Sequence, residues 1–282
     1  MKRKLSYLNL HFSVMLFGFA GLFGKWLSLP AMVITFGRVL FAAAALSLTL
    51  GLNKKSFKLY ENKDYGLSAI LGILLAFHWF SFFRAVQLST VGIALLSYST
   101  FPLFTSLFEP LFFRERLKKT FIFLALLAIA GVYLMIPEFN LAYTETKGVL
   151  WGILSGLSFS FIALGNRKLV QQNSPWLISL YLDGFACISL LPLLFFIPFS
   201  LNFKSFILLF LLGTIFTALA HTLFVRSLKH IKASYASLAA SMEPVYGILF
   251  AFLLLHEIPS WSTLLGGSLI LSAVVLASTA KS

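Results

Sequence analysis

Charge is what this chain has least of. Asp, Glu, Lys and Arg make up 11% of its 282 residues, where a soluble domain carries about 25%. That is too little to cover a globular surface in water. With 59% hydrophobic residues, the composition is that of a protein that crosses the membrane many times. Cysteine is nearly absent as well. Cys187 stands alone, which excludes an intramolecular disulfide and a cysteine-based metal site. No Walker A, H-E-x-x-H or G-x-S-x-G pattern occurs, nor any Cys/His ligand set. Neither an enzyme nor a metal or cofactor site is therefore expected, and ATP-driven transport would require a partner subunit. Linkers, low-complexity tracts and extramembrane domains are also missing, so any chemistry must sit inside a helix bundle. The formal net charge of +13 invites a nucleic-acid partner, but the basic residues cluster in alternate loops, the pattern of membrane topology. Lipids and a small-molecule substrate are the expected partners.

What is present is a series of apolar stretches. A helix needs about 20 apolar residues to cross the hydrocarbon core, and that length predicts ten spans, near 5–27, 30–51, 65–87, 90–113, 117–137, 147–170, 174–197, 203–227, 232–255 and 259–279. Prolines mark the short turns at Leu29-Pro30, Ile136-Pro137, Ser174-Pro175 and Ile258-Pro259. The basic start Met1-Lys2-Arg3-Lys4 resembles a signal peptide, but no A-x-A cleavage site follows its long apolar run, and it reads as a retained first span. Sixteen Lys and Arg fall in the N-terminus, residues 54–63, 114–119, 167–168 and 229–232, and at Lys281, whereas only Lys25, Arg84, Lys147 and Lys204 fall on the other side. The positive-inside rule then places both termini in the cytoplasm.

The second half of the chain repeats the first. Arg84, Pro102 and Glu115 reappear as Arg226, Pro244 and Glu257, each 142 residues later. The partners fall in odd-numbered spans of one half and even-numbered spans of the other, so the units 1–142 and 143–282 must cross in opposite directions. Inverted repeats of this kind belong to secondary transporters, with one substrate site between the halves. The inversion also leaves its mark on charge. Arg114-Glu115-Arg116-Leu117-Lys118-Lys119 is basic, while its partner His256-Glu257-Ile258-Pro259-Ser260-Trp261 keeps the glutamate and has no Lys or Arg.

These residues resemble the drug/metabolite transporter superfamily, specifically its EamA-type members with two five-helix repeats. The resemblance rests on Pro30 with Arg38, the Arg84–Pro102–Glu115 series, Pro175 with Asp183, and Arg226–Pro244–Glu257. Small residues from Ala125 to Gly131 and from Gly266-Gly267 to Ala277 also fit. The resemblance covers essentially the whole chain. It implies an all-α integral membrane fold of ten transmembrane helices as two inverted repeats, a central cavity and alternating access in a bacterial cytoplasmic (inner) membrane. Such transporters carry amino acids, nucleotide sugars, sugar phosphates, vitamins or toxic organic compounds, and fold alone does not choose among them. The chain departs from the pattern at Asp183, which sits where a second arginine would complete a symmetric clamp.

Ionisable groups at membrane depth are the candidate site. Each costs about 2.5–3.5 kcal/mol near the centre of a span. Arg38 and Asp183 each lie about 12 Å from a membrane face at 1.5 Å per residue. Counted from Pro30 and Pro175, they occupy equivalent positions with opposite charge. They could line a cavity for a charged or zwitterionic substrate, or form a permanent ion pair that fixes packing. Glu243 is central in its span, precedes Pro244 and has Phe101 as its repeat equivalent, so the glutamate belongs to one half only. It is the candidate for proton coupling, with a hydrogen-bonded structural acid as the alternative. His78, Trp79, Ser97, Tyr98, His221 and Ser241 are further candidates for the cavity. Ser234, Ser237 and Ser241 share a helical face that could equally be a packing surface. Glu115 and Glu257 read as structural groups, each offsetting the dipole of the helix that follows, and the 32 Phe residues as mostly lipid-facing bulk. The leading expectation is a carrier of small polar metabolites, plausibly amino-acid-like and exported, coupled to protons or to exchange. A passive channel and an intramembrane lipid enzyme are the alternatives.

Overall fold

The computed structural model describes residues 2–113, 120–135 and 140–279. Glu115 with its basic neighbours and Pro137 lie outside the described residues, as do the side chains of Ser234 and Ser237. Every regular element among those described is helical. In the first half these are α1 (Lys2–Ala20), α2 (Phe23–Trp26), α3 (Ala31–Leu52), α4 (Asn62–Leu88), α5 (Val91–Tyr98), α6 (Phe101–Phe113) and α7 (Thr120–Met135). In the second they are α8 (Thr144–Leu169), α9 (Pro175–Leu194), α10 (Phe203–Gly213), α11 (Ala220–Ser227), α12 (Ala233–Ala240), α13 (Glu243–Leu255) and α14 (Trp261–Thr279). Among the described residues seven helical stretches are long and apolar enough to cross a membrane, and Leu126–Met135, Glu243–Leu255 and Trp261–Ala273 are shorter apolar helices. The protein is an all-helical integral membrane protein.

The halves have no separate cores. α4 packs on α8 and α9, α3 on α9, α7 on α14, α1 on α11 and α13, and α5 and α6 on α8. Each of these contacts joins a helix of the first half to one of the second. Lipid tails are as apolar as leucine, so close backbone approach has to hold such pairs together. Gly131 and Gly266 provide it for α7 and α14: a Cβ on Gly131 would stand 2.6 Å from the Gly266 carbonyl oxygen.

Two spans expected to be continuous are broken in the middle. α5 stops at Tyr98 and α6 starts at Phe101; α12 stops at Ala240 and α13 starts at Glu243. Both breaks fall at the same repeat position, since 241−99 is 142. Proline is the cause. Pro102 and Pro244 are each the second residue of the later helix, where the missing N–H and the ring are tolerated only if the preceding turn is not helical. In the first break Ser99 Oγ donates to the Leu95 carbonyl at 2.8 Å and Thr100 Oγ1 to that of Ser97 at 2.8 Å, each adding a side-chain donor to a carbonyl that its own backbone N–H also meets. A third irregularity is a π-helical turn, Thr214–Leu219, between α10 and α11.

The structure also corrects the register between α3 and α9. A Cβ on Gly213 would meet the Arg38 oxygen at 2.8 Å and the Ala42 nitrogen at 3.2 Å; one on Gly72 would meet the Leu182 oxygen at 2.8 Å and the Ala186 nitrogen at 3.2 Å. Arg38 therefore corresponds to Leu182, not to Asp183. Counting from the prolines misleads because Pro30 is the residue before α3, whereas Pro175 is the first residue of α9. One residue turns a side chain by about 100° around a helix.

Candidate functional site

A narrow cavity lies at the level of the two breaks. Its wall carries six of the expected residues, Arg38, His78, Trp79, Tyr98, His221 and Glu243, with Phe17, Ala20, Phe82 and Phe159 completing it. It encloses about 20 Å³, room for about one water molecule.

Arg38 reaches the cavity from α3 and is 2% exposed. Its Nε donates to Thr217 Oγ1 at 3.0 Å and its Nη2 to the Phe216 carbonyl at 3.4 Å. Both acceptors belong to the π-helical turn. Single π-helical turns of this kind recur at functional sites. The guanidinium also lies 3.8 Å from the centre of the Trp79 ring, where the face of the indole attracts a cation. Three groups thus hold the charge without neutralising it. Among the described residues no carboxylate comes within ion-pairing distance of Arg38. The permanent Arg38–Asp183 ion pair is not formed. Asp183 is fully buried on α9, and neither of its oxygens has a hydrogen-bond partner.

The two histidines differ. His78 Nδ1 is 2.9 Å from Ser155 Oγ and 3.0 Å from the Ser155 carbonyl, and its ring packs on Phe159 and Tyr98. It is held in place. His221 Nε2 accepts from Asn166 Nδ2 at 3.4 Å, while its Nδ1 has no partner. Glu243, the first residue of α13, likewise leaves Oε2 unpartnered. The residues of the wall therefore include an imidazole nitrogen and a carboxyl oxygen without hydrogen-bond partners, together with a guanidinium. Tyr98, the last residue of α5, stacks on Phe101 with ring centres 4.9 Å apart.

Three expected residues do not line the cavity. Ser97 donates to the Ile93 carbonyl at 2.6 Å and faces Gly152 of α8, where a Cβ would stand 2.6 Å from its own. It is a helix-packing residue, as small polar residues in membranes often are. Asp183 is turned away by the register shift, and Ser241 is buried in the second break. Glu257 offsets a helix dipole as expected, but of another helix. Its Oε2 accepts from the N–H of Val91, the first residue of α5, at 2.9 Å, because the chain folds that N-terminus of the opposite half against it. Pro259 lies two residues before α14 and not in its first turn.

Both ends of the bundle carry cross-half ties that the sequence reading missed. At the lysine-poor end, Lys25 Nζ stands 4.0 Å from Glu257 of the other half, while its shorter bond, 2.6 Å to the Ser89 carbonyl, stays within its own half. Beneath it Phe19 stacks on Phe216, and Phe23, Trp26 and Phe250 pack edge-on around them. At the lysine-rich end, Arg167 Nη1 donates to Glu109 Oε1 at 2.6 Å, with its guanidinium 4.1 Å from the Phe113 ring centre. That end opens into a vestibule of about 580 Å³.

The EamA-like transporter family model matches residues 4–136 and, a second time, 146–279. The chain belongs to that family. It is a membrane transporter, as its relatives are. It is 30% identical to an uncharacterized transporter of Archaeoglobus fulgidus over 70% of each chain. It is also 23% identical to the pseudopaline exporter CntI of Pseudomonas aeruginosa over 90% of this chain and 88% of that one. A solved crystal structure superposes with a TM-score of 0.72 over 98% of both chains at 18% identity, which shows the shared fold.

Proposed function

We propose that this transporter carries a small polar organic metabolite by alternating access, with units 1–142 and 143–282 as inverted five-helix repeats around the Arg38–Glu243 cavity. The single observation that carries the reading is the pair of helix breaks at one repeat position, both meeting the cavity wall. Broken helices near mid-membrane are where transporters bind substrate, because freed backbone groups and helix ends face the ligand. The count of ten membrane helices draws support from the three shorter apolar helices beside the seven long ones. Both termini in the cytoplasm of a bacterial inner membrane follow from the Lys/Arg distribution.

Arg38 recognises a carboxylate or other anionic group of the substrate; Glu243 and His221 offer an acceptor and a ring nitrogen to an amino or hydroxyl group. An amino-acid-like substrate fits that set, and similarity to a named exporter favours export. Glu243 serves as the proton-coupling group. In the closed form the cavity is too small for a metabolite, so binding follows the parting of one end. Lys25 with Glu257 closes the lysine-poor end, and Arg167 with Glu109 guards the other.

Counterflow in proteoliposomes with a pooled metabolite panel at two pH values tests the reading. Saturable exchange of polar zwitterions or anions is expected. Single-channel conductance, or flux that grows linearly with concentration, would establish a passive channel instead.

A further inference from the structure

The vestibule at the lysine-rich end is more than an entrance. Lys63, which is paired with Glu61, Arg167, Lys168, Lys229 and Lys232 line it with one acid, Asp64, among the lining residues. That acid is already engaged: its Oδ2 accepts from Asn173 Nδ2 at 2.8 Å and from the Glu61 N–H at 3.3 Å. Lys168 and Lys229 are exposed and have no carboxylate partner among the described residues. Loops that merely obey the positive-inside rule need no concavity, whereas these cations converge on one from both halves of the chain.

Arg167 gives the vestibule its special character. Its ring contact with Phe113 fixes the plane of the guanidinium, and Glu109 takes one of its five N–H groups. A planar fork so held matches a carboxylate or phosphate, and a bound anion would compete with Glu109 for it. We infer that this vestibule is a binding site for a soluble organic anion bearing carboxylate or phosphate groups, and that its occupation loosens the Arg167–Glu109 tie above the cavity. The inference rests on the transporter reading and narrows its substrate class. A lipid headgroup shares the chemistry but would need an apolar channel for its acyl chains, and nine of the thirteen lining residues carry a charge or an amide.

Titration calorimetry with pyrophosphate and with citrate tests this on the full-length protein in phosphatidylcholine nanodiscs. It needs no transport, so its failure is distinguishable from failure of the transporter reading, which counterflow reports. Wild type is expected to bind one probe per chain. The Lys168→Gln/Lys229→Gln variant should bind about tenfold or more weakly, since charge-assisted contacts are the strong ones. Glu109→Gln should bind several-fold more tightly. Lys55→Gln/Lys58→Gln removes the same charge from exposed positions outside the vestibule and should leave affinity unchanged. No binding by wild type, or equal losses in the two double variants, overturns the site. Loss of probe binding when phosphatidylglycerol is added to the discs would assign it to lipid headgroups and overturn the soluble-anion proposal. Gel-filtration profiles matching wild type confirm that each variant is folded.

Discussion

Lys25 and Arg167 stand 142 residues apart, Lys25 in α2 at the end of the first span and Arg167 near the end of α8, and they tie the halves together differently. Lys25 gives its shortest bond to the Ser89 carbonyl of its own half, and Glu257 across the interface is 4.0 Å away, that carboxylate giving Oε2 to the α5 N-terminus. Arg167 meets Glu109 directly at 2.6 Å and is less exposed, at 18% against 30% for Lys25. One repeat position thus carries a loose, partly solvated tie at one end and a tight, stacked one at the other. Partial burial strengthens an ion pair relative to an exposed one, which contributes only about 0–1 kcal/mol. The fold repeats its frame, and the chemistry placed on that frame is what makes the two ends unequal.

The largest predicted effect falls on the group both repeats enclose. Arg38→Leu removes three contacts and the only cation of the cavity, and counterflow should fall about 100-fold or more, given roughly 1.5–3 kcal/mol for each charge-assisted bond. Arg38→Lys should not rescue it, because an ammonium cannot both stack on Trp79 and bond Thr217 as a planar fork does. Counterflow within a few-fold of wild type in Arg38→Leu would remove Arg38 from the site. Next comes Glu243→Gln, which keeps size and hydrogen bonding but cannot titrate. Counterflow should persist while the pH dependence of net transport flattens; an unchanged pH profile refutes the proton role.

The ties themselves separate the two ends. In a Cys187→Ser background with Ala20→Cys as a reporter in the cavity, Arg167→Gln should raise labelling from the lysine-rich side about tenfold. Lys25→Gln should raise labelling from the opposite side only about threefold, in line with the weaker pair. Equal effects would erase the asymmetry. The smallest effect belongs to Thr217→Val, which removes the Nε acceptor while Trp79 and the Phe216 carbonyl remain. A several-fold rise in the half-saturating substrate concentration, with little loss of maximal rate, is expected.

Much of this was legible in the sequence, and the gaps have physical causes. Composition and the 142-residue offset were enough for a repeated helical membrane protein, and membrane depth picked out six residues that now line the cavity. Depth says nothing about direction around a helix, which is why Ser97 turned out to face α8 and Asp183 sits one register step from the match of Arg38. Phenylalanines read mostly as lipid-facing bulk, and composition could not pick out those that line a cavity, which are Phe17, Phe82 and Phe159. The π-helical turn left a trace that only the structure makes readable. Gly72 and Gly213 make matching contacts and are 141 apart, while Arg84 and Arg226 are 142 apart. The second half therefore holds one extra residue between them, and the turn at Thr214–Leu219 is where it is absorbed. Glu109 and Lys25 were missed because pairs between the halves depend on folding, not on spacing.

The central claim is that a single cavity between the halves opens to one side at a time. Its most direct test is labelling of Ala20→Cys, in the Cys187→Ser background, by a membrane-impermeant thiol reagent applied to either face of oriented proteoliposomes. Substrate-dependent labelling from each face is expected, with conditions that raise labelling from one face lowering it from the other. Labelling that rises from both faces together would mean a continuous pore and would contradict the account.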